Sequence, residues 1–465
     1  MEINLREIKT DLNPLDVYYI FKEEENTILL DSSKEDVQLS KFSFIGINSF
    51  LIFESKNNEI YINDKKTSGD PFYELEKLIH KYKISFDLHK DIPFISGCIG
   101  YISYDAGRIL EELPNTTLED YNIPHMRFIF YKNLIVFDLL KNKKYITSLD
   151  INNESEKLNE ESTNPSDESE KLLDEIENRI LTATSLNEIE IDQKEKRFSS
   201  NFTKDEYKLA IKKLKDYIVS GDVYIANMTQ RFCIENFDES IDIYRKLRSI
   251  NKAPFSAYMN FNDFQVISSS PERFIQIIDR KVHTRPIKGT RPRGMTKEED
   301  FQNRLELINS EKDKAELLMI VDLERNDLSK VCKNNSINVT ELFKVEEYAT
   351  VFHLVSKIEG ELKDSISSIQ CIKECFPGGS ITGAPKIRAM EIIEELEGIK
   401  RNIYTGSIGY FDFRGNSDFN IVIRSIIKKD NKAYFGVGGG ITYDSIEEDE
   451  YNETLDKAKA LRRVL

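Results

Sequence analysis

The sequence has no tryptophan, only five scattered cysteines, no lysine or arginine block longer than a few residues, and no apolar run of membrane-spanning length. Each shortage excludes something. A membrane helix needs about 20 consecutive apolar residues, so a spanning protein is not expected. Lysine and arginine total 65 against 81 acids, a net charge of −16, which disfavours a coat for nucleic acid or for an anionic membrane surface. Of Cys98, Cys233, Cys332, Cys371 and Cys375, only the last two stand at i,i+4, without a nearby histidine to complete a zinc set. An odd, dispersed set reads as buried thiols in a reducing compartment. The start, MEINLREIKTDLNPLDVYYI, lacks the basic end and apolar core of a secretion signal, and the expected location is the cytoplasm.

What is present is a soluble globular composition: 465 residues, 40% hydrophobic and 31% charged, with 21 tyrosines and 27 phenylalanines. That length allows two or three ordinary domains or one unusually large one. Residues 1–150 hold strand-like runs (NTILLDSS, FSFIGINSFLIFES, NEIYIND, MRFIFYKNLIVFDLL) around one amphipathic helix, PFYELEKLIHKYK. From Asn152 to Pro165 the chain is polar and aperiodic, and an acidic amphipathic stretch follows from Ser166 to Ile180. Between Glu154 and Glu177 ten acids meet two lysines, a net of −8, so half of the chain's charge is local. Residues 151–200 are therefore predicted to be an acidic linker and connecting helix. In residues 201–465, helices such as TKDEYKLAIKKLKDYIVSGD and EEDFQNRLELINSEKDKAELLMIVDLERND alternate with the strands FQVISSSPERFIQII, SIGYFDFRG, FNIVIRSIIKK and KAYFGVGGGIT. Short turns from Asp412 to Asp418 and from Lys429 to Lys432 predict antiparallel hairpins.

Several patterns can carry chemistry. PGGSITGAPKIRAMEIIEELEG, from Pro377 to Gly398, leads a glycine-rich loop into a helix, where free N–H groups and the positive dipole end suit a carboxylate or phosphate. Such a loop is more often a plain turn, and Ala384 and Pro385 stand where a Walker loop needs lysine and serine or threonine. Gly436, Gly438, Gly439 and Gly440 end a strand, where glycine weakens the ladder unless a ligand or another backbone approaches closely. Asp313 with Glu316, and Glu450 with Glu453, are i,i+3 pairs, each on one helical face. Two such faces together offer hard oxygens to Mg²⁺; on a surface they merely solvate a helix. Lys288, between Ile287 and Gly289 at a strand end, is a nucleophile or base if held in a semi-apolar site, and otherwise a solvated lysine. His353 lies in the apolar pattern VFHLVSKIEG, where a satisfied buried histidine is the plain alternative. Arg424, alone within FNIVIRSIIKK, needs an anionic partner, and bidentate carboxylate recognition is its best use. SGCIGYISYD around Cys98 is close to the Gly-x-Cys-x-Gly elbow of glutamine amidotransferases, but Ser96 replaces the first glycine and no His-x-Glu pair follows. Cys98 is predicted to be structural.

SSPERF, PIKGTRPRG, DKAELLMIVDLERND, VFHLVSKIEG, PGGSITGAPK, GYFDFRGNSDFNIVIR and GGGITYDSIEEDEYNET, in this order from Phe202 onward, resemble the chorismate-utilising enzymes. That family holds the large subunits of anthranilate and aminodeoxychorismate synthases, with isochorismate and salicylate synthases as relatives. LLDSS, FSFIG and GYISYD extend the resemblance more loosely through residues 1–150, and 201–465 is the chorismate-binding catalytic region that it implies. The implied fold is α+β, a large single unit with two face-to-face antiparallel sheets and helices outside. The lysine of PIKGT and the run NMTQRF (Asn227 to Phe232) are similar to the aminodeoxychorismate subgroup; anthranilate synthases usually carry alanine in place of that lysine. Ile225 stands where isochorismate and salicylate synthases have a base lysine, which argues against water-activating chemistry, and it departs from the glutamine of many amidating members.

The resemblance further implies Mg²⁺-dependent amination of chorismate to 4-amino-4-deoxychorismate, on the way to 4-aminobenzoate and folate. Arg424, Tyr404 and the backbone of Gly438, Gly439 and Gly440 would hold the pyruvyl carboxylate. Mg²⁺ on Glu316 and Glu453, with Asp313 and Glu450 around its waters, would hold the ring carboxylate near the PGGSITGAPK loop and Thr382, with Lys457 nearby. Lys288 would attack the ring, Glu272 would protonate the leaving hydroxyl, and His353 matches the ring-proximal histidine of the family. Ammonia is expected from a separate glutamine amidotransferase subunit, and no lyase domain is expected. Ser32, in LLDSS, matches a region that binds tryptophan in relatives. Two alternatives stand beside this reading: the anthranilate synthase reaction, and a non-catalytic tryptophan-binding regulatory subunit. The second is disfavoured by the presence of Glu316, Glu453, Lys288, His353 and Arg424.

Overall fold

The computed structural model describes residues 2–33, 39–56, 59–85, 88–151, 165–191, 196–347 and 351–465. Two long strands organise it, Phe42–Lys56 and Met126–Asp138. They pair antiparallel from Phe42 opposite Asp138 to Ser55 opposite Met126, with one irregularity between Ser49 and Leu51. The other edge of Met126–Asp138 pairs first with Gly97–Ile102 and then with Lys143–Asp150, so two arms of sheet leave one shared pair. One arm continues through Ile28–Asp31, Phe255–Phe261, Phe264–Ser270, Ser425–Lys429, Lys432–Ile441 and Ile225–Glu235. The other runs from Gly97–Ile102 through Ser407–Asp412, Ser417–Asn420, Arg273–Ile278 and Lys281–Arg285 to Val351–Glu361. All of these pairings are antiparallel, as the short turns predict, and the hairpins at 412–418 and 429–432 form.

The arms bury their apolar faces against each other. Tyr101 of one arm meets Phe261 and Phe264 of the other at ring-centroid distances of 6.0 and 6.1 Å, within the edge-to-face range that aromatic pairs favour. Helices pack outside. Thr203 and Glu206 form a reciprocal capping box at the start of Lys204–Val219, and Lys386–Glu397 ends on Gly398 in the left-handed region at φ 72, as its position past the helix predicts. The α+β class holds. Among the described residues no helix is long and apolar enough to cross a membrane.

Three expected elements divide. The long helix after Thr296 is two, Lys297–Asn309 and Glu311–Val331, because Ser310 takes extended backbone and caps the second by accepting from the Asp313 N–H. FQVISSSPERFIQII separates around Pro271, which has no N–H for a ladder, leaving Phe264–Ser270 in one arm and Arg273–Ile278 in the other. FNIVIRSIIKK likewise separates after Asn420, and Arg424 does not lie inside a strand but at φ 53 in the break. The two breaks are stitched together: Ser269 N–H donates to the Arg424 carbonyl at 3.2 Å, and Ile421 N–H to the Glu272 carbonyl at 3.0 Å. The polar segment up to residue 164 lies outside the described residues. The acidic stretch after it is the helix Pro165–Leu181, whose Glu170, Asp174 and Glu177 all pair with Arg6.

Candidate active site

The breaks between the arms place Glu272 and Arg424 beside the glycine-rich end of Lys432–Ile441. Gly438, Gly439 and Gly440 run opposite Thr229, Met228 and Asn227. A Cβ on Gly439 would stand 3.5 Å from Glu450 Oε2, 3.6 Å from Glu453 Oε1 and 3.6 Å from Lys457 Nζ; one on Gly440 would stand 3.6 Å from Lys288 Nζ. Bare backbone is thus the floor of a cleft walled by four charged side chains. Ile225 closes one end, its Cδ1 3.0 Å from the same Gly440 position.

Lys288 reaches the cleft from a bulge. Its strand, Ile287–Pro292, shifts register against Val351–Glu361 between Lys288 and Thr290, with Gly289 at φ 73, and bulges of this kind re-aim side chains. Lys288 Nζ donates to the Ser380 carbonyl at 3.1 Å. Glu272, 5% exposed, addresses the same residue. Burial pushes its carboxyl above the usual range, while the Ser380 side chain, Lys288, the Ile287 N–H and Arg285 pull the other way. A carboxyl whose burial favours the acid form, beside an amine, is suited to proton donation. His353 is buried on the neighbouring strand, with Nδ1 3.0 Å from Thr290 Oγ1.

The acids behave differently from one another. Lys312 Nζ stands between two helices, 3.9 Å from Glu316 Oε1 and 3.5 Å from Glu450 Oε1, and Ser445 Oγ donates to Glu450 Oε1 at 2.7 Å. Burial raises Glu316 although Lys288 and Lys312 oppose it. Burial also acts to raise Glu453, but Lys457, at 2.6 Å, with Lys312 and Lys288 holds it below the usual range. Asp313 is turned aside by Arg291, whose Nη2 donates to Oδ2 at 3.1 Å. Among the described residues no three His, Cys, Asp or Glu side chains gather closely enough to hold an ion, so the acids do not close into a four-carboxylate cage. The carboxylates of Glu316 and Glu453 remain hard oxygen donors of the kind that suits Mg²⁺, which keeps several waters and takes the rest of its shell from substrate.

At the other end, the Arg424 guanidinium has no carboxylate within ion-pair distance among the described residues; burial pulls it below its ordinary value while Tyr404 and Glu453 oppose. A half-buried guanidinium fork without a carboxylate partner is suited to receive one. The Tyr404 ring lies against Gly436, where a Cβ would come within 2.3 Å of it. Lys457 Nζ donates to the Gly438 carbonyl at 2.8 Å. Thr382 does not face the cleft: it is fully buried and its Oγ1 donates to the Gly378 carbonyl at 2.9 Å, bracing the loop. Cys98 is fully buried, which pushes its thiol far from the thiolate form.

Lys312 and Ser380 escaped the sequence reading. The i,i+4 spacing of Lys312 to Glu316 was the available signal for one; Ser380 offered none beyond its place in PGGSITG. Ser32 lies away from the cleft, at a separate cavity of about 380 Å³ also lined by Phe42, Phe44, Pro254, Tyr410 and Asn420. Its hydroxyl is held by the Phe42 and Pro254 carbonyls at 2.8 and 3.0 Å.

Residues 25–463 match the family described as chorismate binding enzyme. The chain belongs to the chorismate binding enzymes. Anthranilate synthase component 1 of Acetivibrio thermocellus is 36% identical over 468 residues, covering 99% of this chain and 94% of that protein. Aminodeoxychorismate synthase component 1 of Bacillus subtilis (strain 168) is 38% identical over 447 residues, covering 94% and 91%. The crystal structure of anthranilate synthase component I from Streptococcus pneumoniae TIGR4 matches with a TM-score of 0.80 at 32% identity, covering 92% of this chain and 94% of that one. Overall identity therefore does not choose between the two activities for this chorismate binding enzyme.

Proposed function

We propose that this chorismate binding enzyme is component I of an aminodeoxychorismate synthase. The observation that carries the reading is Lys288, an amine over the glycine floor, bonded to Ser380 and electrostatically coupled to Glu272. Chorismate is a dianion, and the cleft offers it two cations, Arg424 and Lys457. The lone pair of Lys288 Nζ forms a C–N bond to the ring as the allylic C–O bond breaks. Glu272 gives its proton to the departing oxygen, which leaves as water instead of hydroxide. Ammonia then forms the product C–N bond while the lysine C–N bond breaks. The proton released from the new ammonium group restores Glu272, and the pyruvyl ether is retained. Mg²⁺ held by Glu316 and Glu453 would supply positive charge against the ring carboxylate. Because Cys98 is sealed in the core, ammonia is assigned to a separate glutamine amidotransferase subunit.

Withholding ammonia tests the covalent step. Incubation with chorismate and Mg²⁺ alone is expected to leave a mass adduct on Lys288, absent from Lys288→Ala; no adduct, with consumption of chorismate on adding ammonium unchanged in Lys288→Ala, would contradict the nucleophile. The anthranilate reaction is the second reading, favoured by relatives of that name at 99% coverage.

The cavity beside Ser32 is proposed to bind tryptophan. The chain has no tryptophan of its own, so the fluorescence polarisation of added tryptophan reports binding without background. A rise saturating at one equivalent per chain is expected; flat polarisation would remove the assignment.

A further inference from the structure

Eight residues after Glu316 the Glu311–Val331 helix carries another carboxyl toward the sheet. Glu324 Oε2 lies 2.7 Å from the Thr284 hydroxyl. The same hydroxyl lies 2.7 Å from the Phe274 carbonyl oxygen, and Thr284 is 3% exposed. Phe274 lies in the register shift its strand makes against both neighbours, and a carbonyl oxygen this close to a hydroxyl takes that hydroxyl's proton. A threonine hydroxyl has one proton, and a carbonyl oxygen only accepts. With that proton committed to Phe274, the short contact to Glu324 needs a proton brought by the carboxyl itself.

The surroundings agree. Glu272 from the strand junction and Asp327 from the next helical turn both repel a carboxylate here. The cation Lys386, which faces it, is bound to Asp327 Oδ2 at 2.6 Å and to the Cys375 carbonyl at 2.9 Å. Loss of hydration, with that repulsion, pushes the Glu324 carboxyl up to about 8 against the pull of Lys386.

We infer that Glu324 is a proton-holding positioning residue: in its neutral form it donates to Thr284, and by staying neutral it lets Glu272 release a proton without a second negative charge behind it. Its effect on turnover rests on Glu272 acting as the acid, as proposed above; the proton on Glu324 does not.

Infrared difference spectra of the full chain between about pH 7 and about pH 9 read the proton directly. A protonated-carboxyl stretch that disappears on raising the pH is expected in Glu272→Gln, where the neighbouring raised carboxyl is removed, and is absent once Glu324→Gln is added to it. No such band in Glu272→Gln, or one that survives the added Glu324→Gln, would overturn the inference. The pH profile of chorismate consumption at fixed free ammonia reads the coupling. The native rate is expected to fall on the order of tenfold per pH unit above the Glu324 titration, and Glu324→Gln to remove that limb while keeping its neutral-pH rate within a few-fold. A limb unchanged in Glu324→Gln would overturn the coupling. Consumption is followed whatever the product, so an error in the assigned reaction changes the product and leaves the band in place.

Discussion

Lys288, on the strand Ile287–Pro292, and Glu272, in the break after Pro271, both come to Ser380, far along the chain from either, one through its carbonyl and the other through its side chain. The residue types were legible in PIKGT and SSPERF; their meeting at Ser380 was not, because a backbone carbonyl leaves no mark in a sequence. Arg424 was legible as a cation without a partner, but its placement in a strand was wrong: the φ of 53 at this residue swings it out of the ladder. Arg424→Lys keeps the charge and loses the planar fork. It is expected to raise KM for chorismate by roughly 10-fold to 100-fold, on the order of 1.4–3 kcal/mol, with a smaller change in kcat, read from steady-state kinetics. An equal KM would contradict the carboxylate role.

Helices and hairpins followed directly from periodicity and turn chemistry, as with Thr203, Gly398 and the turn at 429–432. The order of strands did not follow, because it depends on the breaks at 271 and 421–424, where the chain passes from one arm to the other. A third joint holds the loop helix to the floor strand. Glu397 accepts from Arg401 at 2.6 Å and from the Thr229 N–H and hydroxyl at 2.8 Å, with both charged side chains at most 3% exposed. Arg401→Met strands that carboxylate and is expected to cost about 3–5 kcal/mol, measured as a fall in the denaturation midpoint. Gly439→Ala is the opposite case. Its methyl group meets side chains only at ordinary contact distance, so the fold is expected to persist while the narrowed cleft loses most of its chorismate affinity. Unchanged binding would move the site off the glycine floor.

Across the whole molecule the net charge of −16 is misleading about the substrate. Half of it falls within residues 154–177, whose described helix is partly neutralised by Arg6, while Lys288, Arg424 and Lys457 face the cleft. Stability should depend on pH through buried groups instead. Burial lowers His125 to about 4 from an ordinary 6.5, with Lys56 adding. The folded state therefore refuses a proton that the unfolded chain takes. The stability this preserves is complete above about pH 6.5 and is lost as pH falls toward 4, about 3 kcal/mol in all; His125→Gln should flatten that window in denaturation curves. The central claim concerns chemistry, and product identity tests it most directly. The native chain is incubated with chorismate, Mg²⁺ and an ammonium salt, and the product is identified by mass and chromatography. The expected result is 4-amino-4-deoxychorismate with its pyruvyl group retained, lost in Lys288→Ala. Anthranilate with free pyruvate would contradict it.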